Sequence, residues 1–360
     1  MYIIINLSKE VKWIKFNYNQ IGYYRVNYPT DMWRNLALKL SETPKTFSVT
    51  DRASLLNDAF SLADSTQLKY DLVLNMTEYL IVENDFVPWS VAAAKLISLH
   101  RRLIFTDISE LFRSYAQHLI KPIFLTLGWN IDPRDDHLHN RLRVIILSAA
   151  CSLGLPECLT EASKHFKKWI KNPDQLPHPD IRNTVYYYGM MDTSSEDYWY
   201  QMWKIFLIKR NTSERFDLMY GLAAAQKMSI LSRYIELAWN EEYVQEQDYA
   251  TCLQYIASNP IGKSIVWDYV REHWPYLLKR FGFNEPTILG KMILSITGHF
   301  SSKTKYEEMQ HFFNRYPETT AKEASFRVKA LETVKNNMAW LDNNFETLHD
   351  WLQKFQAFTS

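Results

Sequence analysis

Three hundred and sixty residues carry 41 Lys and Arg against 40 Asp and Glu, with 47% hydrophobic and 15% aromatic residues. That balance excludes a disordered chain, which needs low hydrophobicity and high net charge. It argues equally against a nucleic-acid partner held by a one-sided basic field. Glycine is scarce, 9 residues in all, so few tight hairpins and no phosphate-cradling loop are expected, and the composition reads as a mostly helical, all-α globule.

The first 28 residues are patterned differently from the rest. Trp13, Ile14, Phe16 and Tyr18, then Ile21, Tyr23, Tyr24, Val26 and Tyr28, give an alternating aromatic and β-branched run. Such a run predicts two strands with a turn near Asn19 and Gln20. Two strands cannot stand alone as a sheet, so residues 1–28 are expected to be a remnant of a β-domain or to pack on the helices. Pro29 opens a helical body over 29–360, with Thr30 or Asp31 as the first cap. Helical periods follow at 32–40, 52–65, 70–83, 88–100 and 107–125, the last kinked or ended by Pro122. They continue at 141–153, 158–170, 180–189, 196–209, 213–227, 229–240, 248–257, 262–281 and 321–357.

Some of these helices resemble one another. Arg52 to Ala63 parallels Arg141 to Gly154, and Arg182 to Gly189 parallels Arg215 to Gly221. A polar start, an apolar stripe and a small residue near the end suit a helix packed on two sides. The pattern predicts stacked hairpins of the HEAT or armadillo kind, an irregular α-solenoid with a concave face.

Three Cys are too few for a disulfide scaffold. Cys151 and Cys158 flank a Gly-Leu-Pro turn that can bring them within bridging distance; a bridge and two buried thiols both remain open on spacing alone. Cys252 reads as a core residue. Sequons at Asn6, Asn75 and Asn211 are glycosylation candidates. Together with the Cys pair they lean toward a lumenal or extracellular compartment. No basic, apolar, cleavable leader is seen at the start and no run approaches a membrane span, so any targeting segment is expected outside this sequence and no membrane contact within it.

Catalytic patterns are missing. None of the ten His opens an H-E-x-x-H pair, and no G-x-S-x-G elbow or Walker loop occurs. His137 and His139 read as a solvated pair in a polar loop rather than as metal ligands. The Tyr186–Tyr188 and Tyr198–Trp203 aromatics read as packing. Residue chemistry alone stops at a helical binding or scaffolding domain.

Four segments go further. Residues 22–28 (GYYRVNY), 51–63 (DRASLLNDAFSLA), 259–262 (NPIG) with Trp267 and 272–277 (EHWPYL), and 332–341 with Trp351 together resemble the C-terminal region of M1-family zinc aminopeptidases, of the aminopeptidase N and glutamyl aminopeptidase type. The resemblance implies that GYYRVNY is the last strand of a preceding β-sandwich domain. It implies that the rest is a bowl of helical hairpins covering the catalytic cleft and facing a peptide. It also implies a Cys151–Cys158 bridge. The family's zinc ligands, Glu base and G-x-M-E-N strand belong to a preceding domain, so no cofactor is expected on this chain and zinc only in the full-length enzyme. In the glutamyl branch an Arg before a late Leu-Gly reads an acidic first residue; here Thr287 stands at that position and Lys291 just beyond, both expected to line the substrate cavity. Lys279, Arg280, Lys291, Lys303 and Lys305 could meet a peptide carboxylate, although a solvated basic face is the simpler account. The expected partners are therefore a peptide and the catalytic domain, with no nucleic acid, and homodimerisation is left open. The competing reading is a free-standing α-solenoid that binds peptides or proteins as an adaptor. Tight peptide binding without any catalytic half would favour it.

Overall fold

In a computed structural model of the chain, residue 8 and residues 10–192, 195–282, 286–317 and 321–359 are described. Among them are seventeen α-helices and no strand, so the fold is all-α. The chain divides into two compact units, Met1–Leu155 with Asp342–Ser360, and Pro156–Leu341.

The first unit contains α1 (Thr30–Glu42), α2 (Val49–Asp64), α3 (Tyr70–Thr77), α4 (Phe86–Leu103), α5 (Ser109–Leu127), α6 (His137–Ser152) and residues 342–359 of the C-terminal helix. Helix α2 packs on α4 and α4 on α6, while α1 packs on α3. Eleven of the sixteen residues of α2 are buried, so it is enclosed on more than the one stripe its pattern indicates. The Ser48 hydroxyl caps it by accepting from the Asp51 amide at 3.1 Å. Pro122 lies inside α5 without ending it. The expected helix over 70–83 stops at Thr77 and tightens into a 3₁₀ turn, Glu78–Val82.

The two strands expected before Pro29 are corrected by the structure. Residues 11–28 run as coil around a 3₁₀ turn, Tyr18–Gln20, with Asn17, Asn19 and Gln20 at positive φ. A strand needs a neighbour for its backbone groups, and here side chains take them instead. The Phe16 amide donates to the Tyr28 hydroxyl (2.9 Å), the Asn19 amide to Asp51 (2.9 Å) and the Val26 amide to Asp58 (3.1 Å). The Asn17 carboxamide closes the loop on Gly22 through both its oxygen and its nitrogen. Alternation therefore survives only as outward aromatics, with Ile21, Tyr23 and Tyr24 exposed.

The second unit contains α7 (Pro156–Lys171), α8 (Pro179–Met191), α9 (Glu196–Ile208), α10 (Thr212–Leu222), α11 (Met228–Ala238), α12 (Glu246–Ser258), α13 (Gly262–Glu272), α14 (Trp274–Leu277), α15 (Pro286–Thr297), α16 (Lys303–Arg315) and residues 321–341 of α17 (Ala321–Thr359). Helices α8, α10, α12 and α15 pack in succession, as do α7 with α9 and α11 with α13. Glycines near the close of α8 and α10 let α8 lie on α7 and α10 on α8. A Cβ on Gly189 would lie 2.3 Å from that of Phe166, and one on Gly221 2.9 Å from that of Tyr186. The expected helix over 262–281 breaks at His273, where Pro275 starts α14, and a π turn, Leu278–Gly282, follows. Helices α15 and α16 are additional to the sequence expectation.

An arginine in the first or second turn of each matched helix also has a common task. Arg52 donates to the Phe47 carbonyl, Arg143 to Leu127, Arg182 to Pro177, and Arg215 to Phe206 and Lys209. Each guanidinium satisfies carbonyls of the segment that precedes its helix, which water would otherwise have to reach. In the Arg141–Gly154 match the residue with this role is Arg143; Arg141 lies over the Phe86 ring at 5.6 Å.

Candidate functional site

Thr287 and Lys291 sit one turn apart on α15, so they share a face. Thr287 is half-buried and Lys291 exposed. The opposite side of the helix is anchored by Leu289, Met292, Ile293 and Ile296, all buried. Gly290 faces Phe326, whose ring carbon a Cβ would meet at 2.5 Å. Close approach at Gly290 therefore fixes how α15 presents Thr287 and Lys291.

A cationic and aromatic cluster adjoins α15 through α13 and α16. Lys263 is 7% exposed, donates to the His299 carbonyl at 2.9 Å and lies over the Phe300 ring at 5.6 Å. Burial pushes its ammonium down to about 8. Lys305 lies over the same ring and bonds Glu308 at 2.9 Å, and Glu308 also accepts from the Trp267 indole at 3.1 Å. Desolvation would raise Glu308, but Lys305 and Trp267 outweigh it and the net direction is downward. Of the other basic residues, Arg280 pairs with Glu241 at 2.9 Å and covers Tyr249 and Phe281. Lys303 pairs with Glu307 at 3.7 Å. Lys279 and Lys291 are exposed.

Asn259 determines where α13 begins. Fully buried, it donates from Nδ2 to the carbonyls of Ala223 and Ala225, both at 2.9 Å, and accepts from the Ile261 amide at 3.0 Å. Gly262 follows with its Cα against the Ile256 carbonyl, which a Cβ would meet at 2.2 Å. The N-P-x-G motif is thus a staple between two interhelical turns. Asn337 repeats the device, donating to the carbonyls of Gly298 and Phe300.

The first unit holds a separate cleft of about 760 Å³ lined by Thr43, Phe47, Arg52, Val82, Glu83 and Asp85. Arg52 grips Glu83 at 2.6 and 3.1 Å and reaches Asp85 at 2.6 Å. Burial alone would lower the Arg52 pKa, yet Glu83 turns the net shift upward. Sequence reading did not pair Arg52 with Glu83, which lies 31 positions on, and no local pattern marks the partnership.

The remaining candidates fall as follows. His137 opens α6, with Asp136 as its cap, and His139 lies 3.9 Å from Asp135. Two positions apart on a helix the imidazoles diverge. Among the described residues no three His, Cys, Asp or Glu side chains gather to hold an ion, so the donors here do not fit zinc. Cys151 and Cys158 are both buried and both disulfide-bonded; Cys252 is a free, buried thiol. Asn6 lies outside the described residues, Asn75 is half-buried within α3, and Asn211 is exposed at the start of α10.

Comparison with known proteins agrees with this architecture. The ERAP1-like C-terminal domain family matches residues 13–336. The chain is 38% identical over 344 residues to the glutamyl aminopeptidase of Sus scrofa and 37% identical over 344 residues to that of Homo sapiens, covering in each case 94% of this chain and 35% of the relative. It is 31% identical over 350 residues to human aminopeptidase N, covering 94% of this chain and 36% of that protein. The chain thus spans about a third of the length of the curated relatives it matches. With an all-α body, the N-P-x-G staple and a match across nearly its full length, the chain belongs to the ERAP1-like C-terminal domain family, the C-terminal region of M1 aminopeptidases.

Proposed function

We propose that this chain serves as the substrate-cavity domain of an M1 metalloaminopeptidase, covering the cleft of a zinc-bearing domain that removes N-terminal residues from peptides. The observation that carries the reading is the match over residues 13–336, from a chain corresponding to about a third of its relatives. Hydrolysis needs an ion to polarise the carbonyl and activate water, and the described residues offer no such donor set. What they offer is a rigid helical surface presenting Thr287 and Lys291, able to exclude water and bound the length of a peptide. Thr287 in place of an arginine leaves Lys291 as the nearby cation on that face. The reading therefore assigns a weaker preference for an acidic first residue than an arginine at position 287 would give, with Lys291 as its remaining cation.

Residues 1–28 are proposed to belong with a β-sandwich domain and 29–360 to form the helical domain. The exposed Ile21, Tyr23 and Tyr24 support this, since the described residues bury none of them. The proposed location is lumenal or extracellular; no single helix among the described residues is long and apolar enough to cross a membrane. Turnover of amino-acid anilides tests the function. The chain alone with added zinc is expected to give none, and the chain joined to a catalytic region of the same family is expected to give turnover whose share on acidic first residues rises in Thr287→Arg. Zinc-dependent turnover by the chain alone refutes the assignment.

A further inference from the structure

We propose that Asn211 is an N-glycan acceptor in the folded protein and that Asn75, though it lies in an equally good sequon, is not. The inference rests on the lumenal or extracellular location proposed above. In Asn211-Thr212-Ser213 all three residues are exposed. Asn211 has extended backbone (φ −69°, ψ 119°) and caps α10, its Oδ1 accepting the Glu214 amide at 3.1 Å. Nδ2, the atom to be modified, has no acceptor among the described residues. Transfer forms a bond from Nδ2 to C1 of an oligosaccharide carried on a lipid diphosphate. The C1–oxygen bond breaks, the lipid diphosphate leaves, and Nδ2 gives up one of its two protons. The other proton and Oδ1 are retained, so the cap survives the modification.

Asn75-Met76-Thr77 presents the reverse arrangement. It lies inside α3, and Thr77 is 0% exposed. The Thr77 hydroxyl is engaged by the Leu74 carbonyl at 2.8 Å and the Tyr115 hydroxyl at 2.6 Å. The Asn75 oxygen accepts from the Trp351 indole at 2.6 Å, and Trp351 packs edge-on against Tyr115 at 4.8 Å. A sugar on Asn75 would have to sit where the C-terminal helix docks. A chain modified there before folding could not complete this packing, so the folded population carries none.

The test is to express the chain behind a cleavable secretion signal in a eukaryotic host. The monodisperse fraction is then isolated and peptides are mapped by mass spectrometry before and after amidase release, which converts a glycosylated Asn to Asp. The expected result is conversion at Asn211 and none at Asn75. Asn211→Gln and Ser213→Ala should each lose one glycan, the second leaving the helix cap intact should the first not fold, and Asn75→Gln should lose none. An unmodified Asn211 in the secreted, folded fraction overturns the proposal, as does an occupied Asn75. Fractionation of the natural protein with the cytosol would instead refute the proposed location while leaving the acceptor assignment as measured.

Discussion

Removing the Asn259 carboxamide should cost far more than its size suggests. The side chain is fully buried and makes three hydrogen bonds at 2.9 to 3.0 Å, holding the α10–α11 turn to the α12–α13 turn. In Asn259→Ala two carbonyls and one amide lose their partner inside the protein. Each buried group left unsatisfied costs about 1–3 kcal/mol, so allowing for partial relaxation a loss of about 3–4 kcal/mol is expected. Asn259→Asp sharpens the argument, because it keeps the acceptor for Ile261 but turns an anion toward two carbonyl oxygens. It should be at least as damaging as Ala although it is nearly isosteric. Native-state hydrogen exchange of α10–α13 amides reads the local stability, and urea titration of tryptophan fluorescence the unit as a whole. A loss below about 1 kcal/mol for Asn259→Ala, against the range just cited, or an Asp variant as stable as the parent, would show that the staple reasoning is wrong.

Lys263 should impose a pH dependence on the second unit. Burial lowers its pKa to about 8 from 10.5. Between those values the unfolded chain binds a proton that the folded one has released, so stability rises with pH from about 8 toward 10. The amplitude is at most about 3 kcal/mol, and Lys263→Met should flatten the slope in urea titrations across that window. Buried Cys252, raised from 9.0 to about 12, and Tyr269, raised to about 12, withdraw stability above their unfolded values, so the comparison belongs below about 9. Gly189→Ala should destabilise by about 1–3 kcal/mol through overpacking against Phe166, read as a lowered urea midpoint; no change would mean α7 and α8 can separate freely. Arg52→Met should cost about 3–5 kcal/mol by leaving the buried Glu83 carboxylate without its cation, Glu83→Gln should cost less because Arg52 keeps Asp85, and the double variant should recover part of the Arg52→Met loss in the same titration.

The helical body was legible because its signals are local. Period, caps and prolines lie within one turn of what they control, so most helices from α1 to α13 fall within a few residues of their expected ends. Helices α15 and α16 escaped for opposite reasons. Apolar residues crowd α15 on nearly every side and blur its period, whereas α16, KTKYEEMQHFFNR, buries only Met309, Phe312 and Phe313. Residues 11–28 misled because alternation reports which way side chains point and is silent on whether a neighbouring strand exists. Where the described chain supplies none, Asp51 and Asp58 take the backbone amides, over separations that no local pattern encodes.

The site divides along the same physical line. Thr287 and Lys291 are singled out only by the resemblance, from their places around Leu289-Gly290, because the helix that carries them was not legible; the staple could be noticed as N-P-x-G. Its purpose could not, since the partners of Asn259 are the carbonyls of Ala223 and Ala225 and any residue presents a carbonyl. The same holds in part for the arginines: Arg52, Arg143, Arg182 and Arg215 each reach a backbone oxygen, although Arg52 also pairs with Glu83 and Arg143 with Asp135. Side-chain-to-backbone bonds leave a trace on only one of their two sequence positions. A turn held by such a bond can therefore change its side chains freely, since only the donor's identity matters to the bond.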